Sequence, residues 1–138
     1  MKQLTINLMA AAAVALAAGS ASAQSLKADI PFTFHASGAV MTPGTYNVLR
    51  SGGSKYVILR NVDTKQSVIA VYDMTDPSKE LKARGKPGIQ FECSGARCSL
   101  REIWTASGSP AYGFRVPKSD SDGDRHMAFI PLSATKAE

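Results

Sequence analysis

Beyond residue 24, no window keeps a helical apolar period for more than about two turns. What recurs is the two-residue period of a strand, whose successive side chains point to opposite faces. In 29–36 (DIPFTFHA), Ile30, Phe32 and Phe34 fall on one face and Pro31, Thr33 and His35 on the other. Pro31 lacks an N–H, which predicts a sheet edge or a strand start there. Thr42-Pro43-Gly44 then turns the chain into 45–50 (TYNVLR), and 51–54 (SGGS) has the composition of a hairpin loop. The runs 55–62 (KYVILRNV) and 66–74 (QSVIAVYDM) are apolar on both faces in their middles. That predicts strands covered on both sides at the centre of a packed sheet, joined by short turns into a meander over 45–74.

Residues 75–88 (TDPSKELKARGKPG) are polar and basic. The stretch is long for a loop in a compact domain and fits either one helical turn around 79–83 or a passage to a second sheet. Next, 89–93 (IQFEC) and 98–104 (CSLREIW) flank a four-residue, Gly-containing loop, which predicts a hairpin. Further strands are expected in 111–117 (AYGFRVP) and 126–132 (HMAFIPL), around a polar loop at 118–125. Seven or so strands at roughly ten-residue spacing define an all-β chain, expected as a mostly antiparallel β-sandwich, with a small β-barrel as the alternative.

The N-terminus has a different character. Lys2 and the terminal amine precede an unbroken apolar run from Leu8 to Ala18, and Ala21-Ser22-Ala23 forms a small-x-small cleavage pattern. This is the signature of a cleaved helical signal peptide, and the run is too short for a bilayer, which takes about 20 apolar residues. The expected organisation is therefore a leader at 1–23 and a single β domain at 24–138, exported to the periplasm or beyond, with no membrane span in the mature part. Removing the leader takes one lysine from a chain of net charge +5, leaving fifteen basic and eleven acidic residues. So mild an excess, outside the cell, argues against a nucleic-acid partner.

Pro31-Phe32-Thr33-Phe34, then Thr42-Pro43-Gly44-Thr45-Tyr46-Asn47-Val48, then Ile89-Gln90-Phe91 with Leu100-Arg101-Glu102-Ile103-Trp104 follow one another in a distinctive order. In this order the chain resembles a family of small exported bacterial proteins of unknown function, over residues 28–119. The resemblance implies an exported β domain and carries no known activity. Cys93 and Cys98, beside the hairpin loop, and the tail beyond Ser119 depart from the pattern.

Among the residues that could carry chemistry, Cys93 and Cys98 come first. An even cysteine count in an oxidising compartment points to a disulfide, and a four-residue loop sets the two opposite each other across the ladder. The spacing is neither the C-x-x-C of redox enzymes nor, with only His35 and His126 in the chain, a standard zinc set. Asp120, Asp122 and Asp124 surround Gly123 in the manner of a calcium loop. The glycine falls at the fourth rather than the sixth position and Pro131 stands where the twelfth-position glutamate belongs, so these are weak ligands and the reading is a polar turn. Lys79, Lys82, Arg84 and Lys86 form a basic patch able to meet anionic polymer or lipid headgroups, or simply a solvated loop. Trp104, with Tyr112 and Phe114, could stack a sugar, although aromatics in strands are more often core.

No nucleophile elbow, zinc-protease helix, phosphate loop or dinucleotide fingerprint is present. Glu92 and Glu102 are not directly opposed across the hairpin, so a paired-carboxylate site would need a third strand. No cofactor is expected. The sequence therefore leads to a non-enzymatic binding or structural module of the cell envelope with an envelope or extracellular partner. A carbohydrate- or envelope-polymer-binding module is the alternative, and an envelope hydrolase comes behind it.

Overall fold

A computed structural model describes residues 25–50, 53, 55–106, 108–117 and 124–135; the expected leader at 1–23 lies outside them. Twelve strands and one short helix follow in order: β1 (Ser25–Ile30), β2 (Phe34–Ala36), β3 (Ala39–Met41), β4 (Gly44–Arg50), β5 (Tyr56–Asn61), β6 (Ser67–Val71), β7 (Asp73–Thr75), α1 (Lys79–Arg84), β8 (Gly88–Ser94), β9 (Arg97–Trp104), β10 (Ala111–Gly113), β11 (Arg125–Pro131) and β12 (Ser133–Thr135). They form two sheets packed as a sandwich that does not close into a barrel. The first sheet runs β12-β1-β4-β5-β6, all antiparallel. The second runs β11-β8-β9-β10-β7, and the β2–β3 hairpin joins it through a parallel pairing of β2 with β9.

The chain changes sheet at tight corners. One is 31–33, where Pro31 cannot donate to the ladder of β1. The others are 42–43, the single residue Tyr72 and the single residue Leu132. Three expectations are revised. The run 29–36 is two strands in two sheets rather than one, so the strand count exceeds seven. Of the two alternatives for 75–88, the helical turn is the one present, as α1, and the nearby crossing between sheets occurs at Tyr72. In 111–117 only Ala111–Gly113 is strand, and 114–117 forms a strap along the side of the sandwich. The meander over β4-β5-β6 is present but is buried on one face only. Val57, Leu59, Val68 and Ala70 point inward and are buried, whereas Ile69 and Val71 are 56% and 71% exposed. No layer covers the outer face of this sheet among the described residues, and β6 is its edge.

Between the sheets, Ile30, Tyr46, Val48, Val57 and Leu59 from the first meet Phe34, Met41, Ile89, Phe91, Leu100 and Ile103 from the second. Phe34 stands edge-on to Tyr46 and to Phe91, each with ring centroids 5.2 Å apart, and Phe32 stands edge-on to Phe91 at 5.1 Å. Edge-to-face rings gain from opposed quadrupoles in addition to the area they bury. The turn of the β2–β3 hairpin, Ser37-Gly38, has φ of 50° and 80°, the two successive positive values that let a two-residue turn follow the strand twist.

The helix packs on the outer face of the second sheet. Ser78 caps it: its Oγ accepts from the Leu81 N–H at 3.4 Å, while its own N–H donates to Glu102 Oε1 at 3.0 Å. Gly85, at φ 68°, ends it and donates back to the Leu81 carbonyl. Leu81, Trp104 and Ala111, with Phe129 against them, form a second small core there. Gly88 sits tightly beneath it, because a Cβ would come 2.2 Å from Phe129 Cε2 and 2.9 Å from the Ile130 carbonyl oxygen. A hydrogen bond of 2.5 Å from Arg50 Nη1 to Tyr112 Oη ties β4 to β10 across the sheets. That bond to the Tyr112 oxygen raises the pKa of Arg50.

Candidate functional site

The hairpin of β8 and β9 positions most of the polar groups of interest. Its register has Cys93 opposite Cys98 and Phe91 opposite Leu100, then Gln90 opposite Glu102, so that Arg101 is an extra residue in β9. This β-bulge shifts the alternation by one. Without it Glu102 would fall on the inner face with Ile89; with it Leu100 and Ile103 both point to the core while Arg101 and Glu102 both reach the outer face. Glu92 and Glu102 thus line one groove on the outside of the second sheet, on neighbouring strands but not directly opposed. That they are not directly opposed is as the count along the sequence had it.

Both carboxylates are engaged. Glu92 Oε1 accepts from Arg101 Nη1 at 2.9 Å and lies 3.8 Å from Arg125 Nε. Glu102, 5% exposed, spends Oε1 on the N–H of Ser78. Its Oε2, and Nε2 of Gln90 on the opposed position, are buried without hydrogen-bond partners.

The second opening lies at the side of the sandwich. Both β2 and β10 abut the same side of β9, β2 along Cys98–Ser99 and β10 along Glu102–Ile103, and they leave a gap between them. Phe114 bridges part of that gap by donating its N–H to the Arg101 carbonyl at 2.8 Å. The result is a cleft of about 450 Å³. Its floor includes Ala36, Ala70, Leu100 and Phe114, and its polar lining includes His35, Arg97, Ser99, Arg115 and Asp73. The strap residues Phe114, Arg115 and Pro117, with Gly113 at the end of β10, line both this cleft and the outer groove. Neither Arg97 nor Arg115 forms an ion pair within 4 Å among the described residues.

The residues singled out in the sequence are dispersed. Cys93 and Cys98 form the expected disulfide with Cα atoms 4.0 Å apart, facing the core at the closed end of the hairpin. Trp104 is 5% exposed and its Nε1 donates to the Ser109 carbonyl at 2.9 Å. It is a wall of the second core and offers no stacking platform; Tyr112, buried too, rests against Tyr72. The four basic residues lie on α1 and the turn after it, and none lines either opening. Arg84 and Lys86 lean over the Phe129 ring, 5.1 and 5.8 Å from its centroid, which gives them a packing role. Asp120 and Asp122 lie outside the described residues. Asp124 is exposed and accepts the Gly95 N–H through its backbone carbonyl. Among the described residues no three His, Cys, Asp or Glu side chains gather as a metal site would require.

His35, Arg97 and Arg115 escaped notice in the sequence as a group because they come from three separate segments. Of the three, only His35 is marked by a local pattern, as the polar-face histidine of its strand. These features define an all-β sandwich with a disulfide-bonded hairpin and a side cleft. Comparison with family models, curated proteins and solved structures returns no match.

Proposed function

We propose that this protein is an exported, non-enzymatic binding module of the cell envelope, whose ligand is an anion with an apolar body held in the side cleft. The observation that carries the reading is the pairing of an apolar floor with Arg97 and Arg115, neither of them ion-paired among the described residues, in a space of about 450 Å³. That size falls among small-molecule sites, which join an apolar lining to a few polar groups. Export is supported by the leader pattern at 1–23, by the disulfide, which suits an oxidising compartment, and by the resemblance to small exported bacterial β-proteins. A binding rather than hydrolytic role is supported by the engagement of Glu92 with two arginines and of Glu102 with the helix cap. The burial of Trp104 and Tyr112 weighs against the sugar-stacking alternative.

The fluorescent probe 1-anilinonaphthalene-8-sulfonate has this chemistry, and decanoate with its neutral analogue decanol separates charge from apolarity. The folded protein should bind the probe with one-to-one stoichiometry, and decanoate should displace it while decanol does so far more weakly. Exchanging Arg97 and Arg115 together for alanine should weaken binding by about tenfold or more, the loss expected of a charge-assisted hydrogen bond. Equal displacement by decanol, or binding indifferent to the double substitution, would overturn the assignment.

A further inference from the structure

The edge of the first sheet at β6, unpaired among the described residues, carries an inference that needs no particular ligand in the cleft, although Ala70 and Val71 also line that cleft. Edge strands of stable monomers are normally shielded by a lysine, a proline, a bulge or a covering segment. Strand β6, Ser-Val-Ile-Ala-Val, contains no charge and no proline, and it pairs with β5 without a register break. The hydrogen bonds from Asn61 N–H to the Gln66 carbonyl and from Tyr72 N–H to the Lys55 carbonyl show which residues face β5. By alternation, Val68 and Ala70 spend their backbone groups on β5, while Ser67, Ile69 and Val71 present theirs to the outside. Beside this edge, Leu49, Ile58 and Ile69 form a row straight across β4, β5 and β6, in which Leu49 and Ile69 are exposed. A contiguous exposed apolar surface next to unpaired backbone marks an association site.

We infer that β6 pairs antiparallel with β6 of a second copy of this chain, about a two-fold axis through Ile69, joining the two first sheets into one continuous sheet. The strand is complementary to itself in this register and poorly so in its neighbours. Centring on Ile69 brings Ile69 opposite Ile69 and Ser67 opposite Val71, all with outward-facing backbone groups, so that each pair exchanges both N–H···O bonds. Moving the axis to Val68 or Ala70 leaves part of the strand without its counterpart. An isologous pairing of this kind closes at the dimer and does not propagate.

Sedimentation equilibrium on the mature, disulfide-bonded protein tests the inference up to about 1 mM, the weak end of specific association. A monomer–dimer equilibrium is expected. Ile69→Lys alters an exposed side chain, so it should leave the urea midpoint nearly unchanged and abolish the dimer. Under mild oxidation Ile69→Cys should cross-link to itself. Ser67→Cys should cross-link only when mixed with Val71→Cys. A protein monomeric at every concentration, or a dimer that survives Ile69→Lys, would refute the pairing. Self-linking of Ser67→Cys as fast as that of Ile69→Cys would refute the register.

Discussion

Phe34 and Tyr46 belong to different sheets, and their rings meet edge-on at 5.2 Å with an interplanar angle of 74°. Both are fully buried, so the pair reports directly on the packing of one sheet against the other. Replacing Phe34 by leucine keeps an apolar side chain of similar volume but removes two edge-to-face contacts, to Tyr46 and to Phe91. At about 0.5–1.5 kcal/mol for each aromatic pair, the loss should be about 1–3 kcal/mol. Tyr46→Leu forfeits one such pair and also the hydrogen bond from its hydroxyl to the Thr42 carbonyl, a further loss of about 1 kcal/mol. The hydroxyl's share cancels in a double-mutant cycle. The double variant should therefore be less destabilised than the sum of the singles by about 0.5–1.5 kcal/mol, the ring–ring coupling. A domain of this length has roughly 6–17 kcal/mol in hand, so every variant can be measured in its folded state. Urea unfolding followed by the emission of Trp104, the only tryptophan in the chain, is the assay, with m-values required to agree across the set. The pair Phe32 and Tyr46 serves as a control with no coupling expected. A Phe34–Tyr46 coupling indistinguishable from that control would refute the sandwich packing described above.

Two further outcomes follow from the same structure. Reduction of Cys93–Cys98, visible as a mass gain of two hydrogens, should lower stability by about 2 kcal/mol, the chain-entropy value for so small a ring; no change in the urea midpoint would show that the hairpin does not depend on the bridge. Leu81→Ala should cost about 2–5 kcal/mol and shift the shielded, blue emission of Trp104 to the red, and a native Trp104 already quenched by iodide like free indole would contradict the second core.

Much of the architecture was legible in the residues because strand alternation is a local property. The period-2 runs, the Gly- and Pro-marked turns, the 89–104 hairpin, the Cys93–Cys98 bridge and, as one of two alternatives, a helical turn around 79–83 all depend on neighbours within a few positions. The cleft was not legible. His35, Arg97 and Arg115 meet only because β2 and β10 abut the same side of β9, and that arrangement is set by pairings between residues far apart in the chain. The face taken by Glu102 was hidden for a subtler reason. A single bulge at Arg101 reverses the parity of everything beyond it, and no residue type announces where an extra residue will be accommodated.

Composition and pattern alone thus determined that this chain is built of strands, that its hairpin is stapled, and that its N-terminal segment has the form of an export signal. Only tertiary structure decided that Trp104 is a core residue rather than a platform and that Ile69 and Val71 face outward rather than inward. The physical reason is the same in both cases. Alternation says which side chains share a face, but whether that face is covered depends on which other element packs there. Helix α1 lies over Trp104, and nothing among the described residues lies over β6.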